Sequence, residues 1–206
     1  MLACSMLLHS RLLATAALLC SATLCHGQNA TELAPGVPWP QLGVVITADS
    51  DISASKAIVV HSSEVKFNSH AGGNFARSVV YAGPKSGVEV KGEHAATMLR
   101  NASPTLYVRL SSDDPDTQRR RITLLRLQPV KDGREVVQFT SNIFGGSRKR
   151  VEESIPVTKQ DVEGSTWVKV VPEKPLESGE YAIAFVPTVV VSFPDQIYDF
   201  TVAMPK

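Results

Sequence analysis

The chain has 206 residues, with 21 Lys and Arg against 20 Asp and Glu and only three cysteines. So balanced a charge excludes broad electrostatic attraction to nucleic acid or to an anionic membrane. Cys4, Cys20 and Cys25 all lie in the first 25 residues, which excludes disulfides, cysteine catalysis and thiolate metal centres from the remainder.

The chain opens with a single charged side chain, Arg11, followed by the uncharged run Leu12 to Leu24. Cys25 and Gly27 then precede polar Gln28 and Asn29. A basic start, an apolar centre and small residues before a break predict a signal peptide over 1–27, cleaved after Gly27. The apolar run is shorter than the roughly 20 residues needed to cross a bilayer. No transmembrane segment is therefore expected after cleavage, and the mature chain is expected in a periplasm or outside the cell. Leu19 and Leu24 precede the two leader cysteines, where lipid attachment wants a small residue.

Residues 28–41, QNATELAPGVPWPQ, hold three prolines and no apolar period, and they predict an extended lead-in. Residues 42–206 then read as β throughout. Strands are expected at 42–48, 56–62, 64–68, 78–83, 87–92, 105–110, 121–130, 135–140, 150–157, 166–171, 180–186 and 197–202. These are short β-branched and aromatic runs, broken every 8–12 residues or so by Gly, Pro, Asp or Ser. The only candidate helix is a short connector at 92–102, GEHAATMLRNA. The expected fold is all-β, an immunoglobulin-like antiparallel β-sandwich with at most one short helix. A subdivision into two small β units near residue 103 stays open.

Alternation supports facing sheets. Leu106, Val108 and Leu110 share one face of their strand, as do Tyr181, Ile183 and Phe185 of theirs. Tyr198, Phe200 and Val202 oppose Ile197, Asp199 and Thr201, so the second set is expected on the far side of its sheet. The string PLESGEYAIAF (175–185) is the most informative. A leucine, then Gly179, then Tyr181 opening a penultimate strand has the form of a tyrosine corner. There the ring is buried and its hydroxyl bonds upstream backbone. Tyr181 and Gly179 are thus structural candidates.

That string, with IYDFTV (197–202) and SPTLYVRL (103–110), resembles a loosely defined group of exported bacterial β-sandwich proteins. The group has a P-L-x-x-G-E-Y-A turn and a closing Y-D-F-x-V strand. The resemblance covers about 25 residues of turn and strand. It implies no activity, cofactor or ligand.

Candidate chemistry is sparse. His61, His70 and His94 have no enforced metal-ligand spacing. No G-x-S-x-G string occurs, no S-x-x-K stands at an expected helix start, and Ser147 lacks the strand-turn-helix setting of a nucleophile. Asp49 and Asp51, and Asp113, Asp114 and Asp116, read more simply as turn formers than as calcium ligands. No catalytic, metal or cofactor site is nominated, and the chain is read as non-enzymatic.

Two basic loops remain, Arg119-Arg120-Arg121 and Arg148-Lys149-Arg150, with Phe144 as a loop-tip anchor. Residues 100–150 carry 11 basic and 5 acidic groups; residues 151–206 carry 4 and 9. In a compact fold those halves can neutralise one another. Trp39, Tyr107, Trp167 and Phe144 are the candidate aromatic platform for a sugar. The expected function is an exported interaction or structural module of the cell envelope with a protein partner. The alternative is a binding module that grips an anionic polymer or glycan through the Arg-rich loops. Asn29 and Asn101 each begin an N-x-Ser/Thr glycosylation sequence.

Overall fold

The computed structural model describes residues 45–48, 57–68, 85–140, 148–190 and 192–203. The expected signal peptide and lead-in, the strand at 78–83, and Trp39, Asp49, Asp51, His70, Phe144 and Ser147 lie outside those residues.

The described residues are almost entirely strand. In chain order they form β1 (Val45–Ala48), β2 (Ile58–Val60), β3 (Ser62–Glu64), β4 (Lys66–Asn68), β5 (Lys85–Lys91), β6 (Thr97–Leu99) and β7 (Thr105–Arg109). A helix, α1 (Pro115–Arg121), leads into β8 (Ile122–Val130), β9 (Gly133–Thr140), β10 (Lys149–Val151) and β11 (Glu153–Ile155). The last four strands are β12 (Val157–Asp161), β13 (Trp167–Pro172), β14 (Gly179–Phe185) and β15 (Gln196–Val202). The fold is all-β with one short helix among the described residues.

The helix is not where a helix was expected. Residues 92–102 hold β6, in which Thr97 and Leu99 are buried and Met98 is exposed. That is a period of two, and the strand pairs in parallel with Phe200–Val202. The helix forms instead at an aspartate-rich stretch. Asp114 caps it by accepting from the Thr117 amide, Pro115 begins its first turn, and three arginines fill its last turn. Each choice answers an unpaired backbone group or the helix dipole. Arg119-Arg120-Arg121 is therefore a helix end rather than a loop.

Two sheets result. The first has the order β12-β13-β7-β1-β2 and is antiparallel throughout. The second runs β3-β15-β14-β8-β9-β5-β4, with β6, β10 and β11 as short additions. The second sheet curls until it nearly closes. In a flat sheet β9 and β15, three strands apart, would be roughly 14 Å apart. Yet Arg134 on β9 reaches Asp199 on β15 at 2.7 Å. The two ends of the strand order, β3 and β4, are also joined through Val65 alone. At the β8–β9 turn β9 lies close against its neighbour β5: a Cβ on Gly133 would run into the Val90 carbonyl oxygen, so a side chain there is excluded.

This curling gives β14 two buried faces. Tyr181 and Ile183 pack outward with Ile122, Leu124, Phe200 and Val202 against Leu106, Val108, Val168 and Val170 of the first sheet. Ala182 and Ala184 point into the ring, against Val88, Leu125, Val137, Phe139 and Ile197. Each large aliphatic or aromatic side chain buried this way contributes roughly 1.5–3 kcal/mol. Ala182 and Ala184 are the small members of an inner set that also holds Leu125 and Phe139.

Candidate functional site

The two basic segments meet at one end of the ring. At the close of α1, the Arg121 carbonyl accepts a hydrogen bond from the Val186 amide at 2.8 Å. This ties the helix end to the residue that follows β14. From the other side, Arg150 on β10 donates through Nη1 to the carbonyls of Pro187, Val189 and Ser192 at 2.9, 3.3 and 3.3 Å. The connection between β14 and β15 thus lies between the two clusters.

Not all six basic residues are available there. Arg150 also pairs through Nε with Glu152 at 3.0 Å, and its side chain is only 13% exposed. It serves as an internal clamp. Arg119 sits between Asp116 and Asp161, 2.8 Å from each. Arg120 donates to the Thr117 hydroxyl at 3.0 Å. Arg148 and Lys149 are exposed. Arg120, Arg121, Arg148 and Lys149 have no acidic partner among the described residues. Nearby, Lys159 donates to the Arg119 carbonyl at 3.0 Å, and burial lowers its pKa below the usual lysine value.

Beside α1 a cleft of about 560 Å³ opens at this same end. Gln118 and Arg121 line it from the helix, Phe185 from the end of β14, and Asp195, Gln196 and Tyr198 from the start of β15. Ser111 closes one side, and its amide donates to Gln118 Oε1 at 2.7 Å. Burial raises the Tyr198 pKa above that of a free phenol. A smaller cleft of about 290 Å³ lies where β8 and β9 part, but its charged groups largely satisfy one another. There Gln128 binds Glu153 and Gln138 leans on Glu135.

The second polar constellation is inside the ring. Arg134, 1% exposed, places Nη1 3.0 Å from Glu180 Oε2 and 2.7 Å from Asp199 Oδ2. The approach to Asp199 is off the hydrogen-bond direction, because Oδ2 lacks a formal partner. Glu180 also receives the Thr201 hydroxyl, the Ala95 amide and the ring of His94, whose Nδ1 is 2.9 Å from Oε1. Arg134 further donates to the carbonyls of Gly92 and Lys91. Two buried carboxylates sharing one guanidinium build a staple across the ring. Nothing in the spacing of residues 134, 180 and 199 announces this.

The remaining candidates have structural places. The Tyr181 hydroxyl donates to the Glu177 carbonyl at 3.0 Å, and the ring stacks on Phe200. Gly179 opens β14; a Cβ there would make ordinary contacts, the nearest 3.7 Å away on the Tyr181 ring. Trp167 and Tyr107 are 2% and 5% exposed, so neither can serve the aromatic platform expected for a sugar. They are large apolar groups on a covered sheet face. His61 is exposed. Asp114 and Asp116 are engaged by α1 rather than by a turn. Among the described residues no three His, Cys, Asp or Glu side chains gather as metal ligands, and no helix is long and apolar enough to cross a membrane. No known protein family, curated protein or solved structure matches the chain.

Proposed function

We propose that the chain is an exported, non-enzymatic interaction module that meets an anionic polymer or glycan through the basic end of its ring. One observation supports this reading: Arg121, through its backbone carbonyl, and Arg150, through its side chain, both bind residues that follow β14, so the two basic segments reach the same connection. Arg120, Arg148 and Lys149, exposed on those two segments, are the charges that an anion-binding module would use there. Export follows from the leader reading at 1–27.

The test is salt elution of the chain from immobilised heparin. The wild type is expected to be retained, and R120Q/R148Q/K149Q to elute at clearly lower salt. These three substitutions remove only charges that lack acidic partners among the described residues. Identical elution of the two proteins overturns the reading.

A second reading, attachment to a protein partner, is favoured by β12. That strand ends the first sheet, with no further strand beside it among the described residues. An added strand from another chain could pair there. Crosslinking in intact cells that recovers a protein in fixed stoichiometry through residues 157–161 is the outcome expected of it.

A further inference from the structure

The cleft beside α1 has the chemistry of a sugar site, and the argument rests on the reading of the basic end as an anion-binding surface. Its polar groups are mixed. Arg121 supplies one guanidinium and Asp195 one carboxylate, with the Gln118 and Gln196 amides and the Ser111 and Tyr198 hydroxyls between them. A bare phosphate or sulfate could satisfy the guanidinium but would be repelled by Asp195 and would leave the amides and hydroxyls unused. A polyhydroxylated ring bearing one carboxylate matches the whole set.

The groups are also available. Arg121 makes no side-chain hydrogen bond among the described residues, and its Nε is shut off from solvent without a partner. A ligand in the cleft meets Arg121 through its terminal Nη1 and Nη2 groups, which are not shut off in this way. Tyr198 is 9% exposed and has no hydrogen-bond partner among the described residues. Its ring belongs to the outer core, which fixes the hydroxyl at the cleft. The Gln118 amide is oriented by accepting from the Ser111 amide, which leaves its nitrogen to donate. Phe185, half-buried, adds an aromatic wall on which the C–H face of a sugar can lie. The volume of about 560 Å³ falls within the roughly 300–1,000 Å³ of small-ligand pockets.

We infer that this cleft binds an acidic saccharide, with Arg121 pairing the uronate carboxylate while Tyr198, Gln118 and Asp195 take ring hydroxyls. The surface charges on Arg120, Arg148 and Lys149 gather the polymer, and the cleft selects a residue of it.

Titration calorimetry with tetragalacturonate tests the inference. Saturable binding to the wild-type chain is expected. Arg121→Gln should weaken it roughly 10- to 100-fold, the cost of one charge-assisted hydrogen bond. Tyr198→Phe keeps the packed ring and should weaken binding less. The carboxyl-reduced, neutral oligosaccharide should bind like the acid does to Arg121→Gln. Thermal melts of both variants check that the fold is kept; should Arg121→Gln unfold, the neutral oligosaccharide carries the comparison on the wild type. The inference falls if tetragalacturonate does not bind saturably, if Arg121→Gln binds as the wild type does, or if acid and neutral forms bind alike. Heparin elution that ignores R120Q/R148Q/K149Q, together with Arg121-dependent uronate binding, removes the charged surface and leaves the cleft. The opposite pair of results removes the cleft and leaves the surface.

Discussion

The two faces of β14 and β15 are built on opposite principles. Outward, Tyr181, Ile183, Tyr198, Phe200 and Val202 form an apolar layer against the first sheet. Inward, the same two strands present Ala182, Ala184 and Ile197, and then Glu180, Asp199 and Thr201. The outer face is held by area, which is forgiving of shape and indifferent to partner identity. The inner face is held partly by charge, which is worth little net yet punishes the loss of any one member. A strand can thus be tolerant on one side and brittle on the other.

Breaking the inner side should cost most. Arg134→Ala leaves Glu180 and Asp199 buried without their cation, and about 3–5 kcal/mol of stability is expected to go. Chemical denaturation measures it. Replacing all three residues by apolar ones of similar volume should recover most of that loss, since a buried ion network is often no better than a packed core. If the triple variant is as damaged as the single one, the staple supplies net stability rather than merely requiring its members.

A smaller effect is expected on the outer side. Tyr181→Phe keeps the ring on Phe200 and loses only the hydrogen bond to Glu177, worth about 0.5–1.5 kcal/mol. An unchanged melting temperature would mean that the hydroxyl does not pin the corner.

The gentlest probe is alkali. Burial raises the pKa of Tyr107, Tyr181 and Tyr198 above the ordinary 10.0. From about that pH upward the unfolded chain gives up these protons while the folded chain keeps them. Stability is then full below 10 and falls as the pH climbs toward the folded values. Lys159, lowered by burial, acts in the opposite sense. Melts taken across this range should show a decline, and phenolate absorbance should lag that of the unfolded chain.

Legibility in the sequence follows the same division. The outer layer could be read because its strands alternate, and Leu106, Val108, Leu110, Tyr181, Ile183, Phe200 and Val202 all lie where their period puts them. The inner layer could not. Asp199 and Thr201 read as the polar side of a one-faced strand, and only curling of the sheet turns that side inward. Local propensity misled at 92–102, where Ala95, Ala96, Met98 and Leu99 suggest a helix and the pairing with β15 imposes a strand. At the candidate site the arginines were visible as runs of charge. Which of them are already engaged, as Arg150 and Arg119 are, depends on carbonyls and carboxylates brought in from other strands. Tyr198 and Phe185 carried no signal beyond that of core residues.

The passage from β3 through Val65 to β4 also fixes an order of events. β3 pairs with the residues at 196–198 and β4 with those at 87–89. β4 can find its neighbour about 20 residues on, whereas β3 must wait for a strand more than 130 residues further along the chain. Closing so long a loop is entropically dear and slow. Until that final strand arrives the ring stays open, with Ser62–Glu64 an unpaired edge.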